Sequence, residues 1–147
     1  MTRTDDRGVS TAVNYVLTLG ITTLLVSGLL LATGGVVDDR RESTTRTSLE
    51  VVGQRLAANL MSADRLAETA DTRTVSLTVD LPTRIAGSGY TVRVNGSSST
   101  LVLEADTVAA TRRVSFVAST TVASTTVRGG ELRIVLTPAN ELAVRAA

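Results

Sequence analysis

Catalysis near neutral pH needs a group that exchanges protons there, or an activated nucleophile, and this sequence is short of both. It has no histidine and no cysteine. That removes the commonest general base and metal ligand, and all thiolate chemistry. Lysine is absent too, so every basic residue is an arginine, which stays protonated. Serine and threonine hydroxyls are abundant but lack their usual activating base. Asp38 and Asp39 are a carboxylate pair in sequence only, and no calcium-loop spacing or phosphate-cradling glycine motif occurs. The doublets Arg40-Arg41 and Arg112-Arg113 are isolated, and the net charge is +1, too little for a nucleic-acid surface. The expectation is no enzyme, no cofactor and no metal, with neither nucleic acid nor a small-molecule substrate as partner.

What chemistry remains treats the chain as a substrate. Asn95-Gly96-Ser97 fits the N-glycosylation acceptor pattern. A plain Asn-Gly turn explains the same residues, because the sequence requires a turn there. A second place is the junction Arg7-Gly8, followed by Val9-Ser10, where a polar leader meets an apolar run.

The apolar run dominates the chain. From Gly8 to Val37 there is no charged residue. A bilayer core is spanned by about 20 apolar residues. Between Leu17 and Leu31 each Leu, Ile or Val contributes about −0.3 to −0.6 kcal/mol to insertion. This predicts a single membrane span over 9–37 with one domain beyond it. A conventional secretory signal, cut near Ala32-Thr33-Gly34, would need a shorter apolar core.

With Gly8 after a basic residue and directly before the apolar run, the first forty residues resemble the class III leader of archaeal type IV pilins and archaellins. The absence of lysine fits a GC-rich, salt-adapted source, and so a haloarchaeal member. The resemblance implies that a prepilin peptidase cuts between Gly8 and Val9, with Arg7 before the cut. It implies that the apolar segment is retained as a helix packing among other pilin-like subunits. The fifth residue after that cut, often Glu in type IV pilins, is Val13 here.

Thr11, Asn14, Thr18 and Thr22 recur at spacings of three and four, on one face of the span helix. Gly28 and Ala32 add a small-xxx-small pair. Such residues let membrane helices approach closely and hydrogen-bond. The threonines are equally explained by hydroxyls bonding to carbonyls one turn back. Asn14 favours a helix–helix interface, because an amide in lipid without a partner is costly.

From 38 to 71 the pattern remains helical. Leu49, Val52, Leu56, Leu60, Ala63 and Ala67 make one apolar stripe, with Glu50, Arg55, Asp64, Arg65 and Glu68 largely off it. The stretch Ser43 to Ser48 reads either as a polar kink or as an exposed part of a continuous helix. After Asp71 the period becomes two. Val75, Leu77, Val79 and Leu81 alternate, as do Tyr90, Val92 and Val94, and then Leu101 and Leu103. Asn95-Gly96 starts a hairpin loop reaching about Ser99. Further strands are expected near Arg113 to Val117, Thr121 to Val127, Glu131 to Leu136 and Leu142 to Arg145. Turns fall at Ala86-Gly87-Ser88-Gly89, Arg128-Gly129-Gly130 and Pro138-Ala139-Asn140, the last closing a hairpin.

The expected architecture is α+β: a transmembrane helix continuing into an amphipathic helix packed on a small antiparallel β-sheet, as in pilins. The expected organisation is a leader over 1–8, the span over 9–37, the amphipathic helix over 38–71 and an extracellular β-domain over 72–147. The short leader and the resemblance both place the N-terminus in the cytoplasm. Function is then that of a pilin-like structural subunit or minor pseudopilin of a type IV pilus-like filament. The alternative is a single-span anchored binding module that never polymerises.

Overall fold

The computed structural model describes residues 5–69 and 74–147, the side chains of residues 5–10, 33 and 34 excepted. The chain divides into two units, 1–40 and 41–147. A single helix, α1, runs Asp5–Thr69. Neither proline of the sequence falls within it, so no backbone donor is missing from its ladder. The hydroxyl-rich stretch from Ser43 to Ser48 stays helical, but it is not simply an exposed part of the helix as expected, because Thr45 is buried. There the Thr45 and Thr47 hydroxyls donate to the carbonyls of Arg41 (2.7 Å) and Ser43 (3.1 Å). Arg46 also pairs with Glu42 one turn back. In the first unit, the side chains of residues 11–32 and 35–40 are exposed.

In the second unit the helical stripe is buried as its spacing predicts. Leu49, Leu56, Leu60 and Ala63 are fully enclosed, Val52 nearly so, and Ala67 lies at the edge of the core. At about 1.5–3 kcal/mol per fully buried Leu, the three leucines far outweigh the Arg46–Glu42 surface pair, worth about 0.3–0.5 kcal/mol. Burial holds this part of α1 in place. Gly53 permits close approach to the sheet: a Cβ there would stand 2.8 Å from Val114 Cγ2 and 2.9 Å from Leu103 Cδ1.

Among the described residues eight strands follow: β1 Ser76–Asp80, β2 Tyr90–Asn95, β3 Thr100–Ala105, β4 Thr111–Ser115, β5 Thr121–Val122, β6 Thr125–Arg128, β7 Glu131–Leu136 and β8 Glu141–Ala146. They form two four-stranded sheets, ordered β1-β7-β8-β5 and β4-β3-β2-β6. Period-two alternation sets the inner faces. Tyr90, Val92 and Val94 of β2, Leu101 and Leu103 of β3, and Leu132 and Ile134 of β7 point inward, while Arg93, Glu104 and Arg133 point out. Residues of α1 and of both sheets share one buried cluster.

Two features differ from the sequence expectation of one antiparallel sheet. The strand expected from Thr121 to Val127 is interrupted at Ala123-Ser124. Its first part, β5, pairs in parallel with β8; its second, β6, pairs antiparallel with β2. The Ala123 N–H donates to Leu142 O (2.8 Å), while the Ser124 hydroxyl accepts the Gly96 N–H (3.0 Å), so adjacent residues are held to different sheets. The turn at Gly129-Gly130 also closes no hairpin. It carries the chain from β6 in one sheet to β7 in the other, with Gly130 at φ 133°. A side chain at Gly129 would run into the Tyr90 ring. All other strand pairs are antiparallel, including the expected β7–β8 hairpin.

Candidate functional site

The row Thr11, Asn14, Thr18 and Thr22 lies exposed along α1. The Thr18 hydroxyl donates to Asn14 O, and the Thr22 hydroxyl to Thr18 O, both at 2.8 Å. Thr23 bonds in the same way to Leu19 O. The hydroxyl protons of Thr18 and Thr22 are thus engaged inside the helix, while each oxygen keeps a lone pair for an outside donor. Beside this row and beyond it along the helix stand Leu17, Leu24, Leu25, Leu29, Leu30 and Leu31, every one more than half exposed. An apolar surface of this extent marks contact with lipid or protein. The helix is long and apolar enough to cross a membrane and could serve as a single-pass anchor.

The backbone of α1 includes Arg7, Gly8 and Val9, but their side chains lie outside the described residues. So does the expected boundary between helix and β-domain at Asp71.

Asn95 closes β2, and its loop runs from Gly96 to Ser99. Asn95 Oδ1 accepts hydrogen bonds from the Ser97 hydroxyl (2.8 Å) and the Ser98 N–H (3.3 Å). Ser99 takes a left-handed conformation, φ 48°, which ends a four-residue hairpin loop. Gly96 packs so closely on the carbonyl of Val122 that any Cβ would overlap it.

Asp64 shows what the periodicity conceals. The sequence places it off the apolar stripe, yet it is buried, one turn after Leu60. Its carboxylate accepts the backbone N–H groups of Ser119 (2.8 Å) and Thr120 (2.9 Å). The spacing of four from Leu60 was the available signal; the partners, far along the chain, left none. Elsewhere Tyr90 is buried, and its phenol donates to Pro82 O at 2.7 Å. Burial pushes its pKa up to about 12, so it remains a donor.

Surface hollows include one of about 370 Å³ between Val51 and Ile85, and one of about 260 Å³ beside Asn95. Among the described residues no group of three or more His, Cys, Asp or Glu converges on a point where a metal could sit.

The chain belongs to a family of unknown function, DUF7266, which it matches over residues 4–146. No curated protein and no solved structure matches it.

Proposed function

We propose that this chain is a pilin-like, membrane-anchored structural subunit, or a minor pseudopilin, of a type IV pilus-like surface filament. Its N-terminus would lie in the cytoplasm and its β-domain outside. The observation that carries the reading is α1 itself. One stretch of it is uncharged and largely apolar, exposed and marked by the row from Thr11 to Thr22; another buries its stripe in a β-domain. In lipid no hydrophobic force draws helices together, so association depends on close packing and hydrogen bonds. Asn14 supplies two donors and an acceptor for that purpose. Other pilin-like subunits and a prepilin peptidase are the partners this implies.

A second reading, an anchored binding module that does not polymerise, draws support from the Thr18 and Thr22 hydroxyls. Their protons are satisfied within the helix and need no neighbour.

The mature N-terminus separates the two. Intact mass and N-terminal sequencing of the membrane-extracted protein should give Val9 as first residue with the apolar run retained. Gly8→Leu should leave precursor, since a peptidase pocket shaped for a small residue would not take the larger one. An uncut chain, or a cut near Gly34, rejects the pilin-like reading.

A further inference from the structure

We propose that Asn95 is an N-glycan attachment site, and that the first sugar lies in the hollow beside it; this rests on the outward placement of the β-domain proposed above. Four asparagines occur in the chain, and only Asn95 has Ser or Thr two residues on; Asn14, Asn59 and Asn140 are followed there by Val16, Met61 and Leu142.

The turn alone does not account for an asparagine at this position. What the loop requires is an acceptor oxygen for the Ser97 hydroxyl and the Ser98 N–H, and an aspartate would supply it equally well. What only asparagine adds is Nδ2. With Oδ1 held by both donors, the amide is oriented. Nδ2 has no hydrogen-bond partner among the described residues and is not among their buried unpaired atoms, so it retains some access to solvent on a half-buried residue. A substituent on Nδ2 therefore breaks no hydrogen bond of the fold. Ser97 and Ser98 are exposed, which leaves the acceptor sequence open on its outer side. The hollow of about 260 Å³ is lined by Arg93, Val94, Asn95, Ser124, Thr125 and Thr126. Its guanidinium and hydroxyl groups suit the hydroxyls of a sugar ring.

The donor class is a lipid-linked sugar activated by phosphate. Asn95 Nδ2 forms a bond to the anomeric carbon as the bond from that carbon to the phosphate oxygen breaks. The lipid phosphate leaves with the electron pair, and Nδ2 gives one proton to a base of the transferase. Nothing is oxidised or reduced.

The test is synthesis of the full chain into endoplasmic-reticulum microsomes, read as a mass shift removable by an N-glycosidase. A second version carries an additional Asn-Ser-Thr acceptor after Ala147. The wild type should gain one glycan and the extended chain two. Asn95→Asp keeps the turn's acceptor oxygen and should lose the glycan completely, as should Ser97→Ala, while Ser97→Thr should retain it. A glycan on the appended acceptor alone would overturn the proposal and leave the outward placement standing. Absence of glycan from both acceptors would overturn the placement and the proposal together.

Discussion

The carboxylate of Asp64 on α1 accepts the backbone N–H of Thr120 at 2.9 Å, joining the helix to the loop between β4 and β5. The neighbouring N–H of Ser119 bonds to the other carboxylate oxygen, so one side chain satisfies two donors of a loop that has no ladder of its own. Asp64→Asn retains one acceptor oxygen and leaves one donor unmatched. It should destabilise the domain by about 1–3 kcal/mol, read by urea unfolding of the detergent-solubilised chain.

The same residue gives the fold a dependence on acid. Burial pushes the Asp64 carboxyl up, but the N–H groups of Ser119 and Thr120, the Thr120 hydroxyl and the charge of Arg65 outweigh it and bring it below its ordinary 3.8. A carboxyl depressed on folding contributes stability above its unfolded pKa and loses it as pH falls through the folded value. The stability difference between wild type and Asp64→Asn should therefore be flat near neutral pH and shrink below about pH 4. Acid unfolding curves that stay equally separated down to the lowest pH would remove Asp64 from the account.

Gly96→Ala should cost about 1–3 kcal/mol, because the new methyl would meet a backbone carbonyl, that of Val122, and no side chain can swing aside. The equivalent change at Gly87, where a Cβ has open space around it, should cost less and only through its φ of 82°. Thermal unfolding of the two variants side by side decides the order.

Association through the span is tested at Asn14. An interhelical polar contact in lipid is worth about 0.6–2 kcal/mol. Asn14→Leu should insert at least as well as the wild type but associate about threefold to thirtyfold less. Thr18→Leu should act in the same direction more weakly, and Leu30→Val should do little. Energy transfer between labelled copies in membranes, at matched expression, gives the measurement. Undiminished association of Asn14→Leu would favour the solitary anchor.

Orientation can be read with single cysteines, because the chain has none of its own. Ser98→Cys should react with an impermeant thiol reagent on intact cells, and Thr4→Cys, read in the uncut Gly8→Leu precursor that keeps residue 4, should not. The opposite pattern would reverse the topology and withdraw the glycan proposal with it.

Much of this fold is visible in the residue pattern, and the parts that are not share a cause. Leu49, Val52, Leu56, Leu60 and Ala63 report their burial through spacing, and the β2–β3 hairpin is announced by alternating apolar residues on either side of Asn95-Gly96. Period and turn chemistry are local properties. Partner choice is not. Nothing near Thr121 signals that β5 will lie parallel to β8, and nothing at Gly129-Gly130 distinguishes a turn between sheets from a hairpin. Asp64 lies off the apolar stripe in the sequence pattern, and its acceptor role depends on a loop it meets only in space. For the candidate site, the sequence located Asn95 and the threonine row. It offered the inward bonds of Thr18 and Thr22 as one of two equal readings, which the structure bears out, but could not say that Nδ2 of Asn95 is left without a hydrogen-bond partner by its own turn.

The passage at Gly129-Gly130 places the earliest strand of the domain beside one of the latest. β2, β3 and β4 are consecutive in the chain and can pair as soon as each is made, at little cost in loop closure. β1 has no such neighbour: Leu77 aligns with Ile134 and Val79 with Leu132. Until β7 emerges, β1 remains an open edge with Val79 uncovered. The first strand of the domain therefore finds its sheet partner only near the end of synthesis. A chain ending before Leu132 could still form the β4-β3-β2-β6 sheet, but it would present an unpaired strand able to recruit an edge from another molecule.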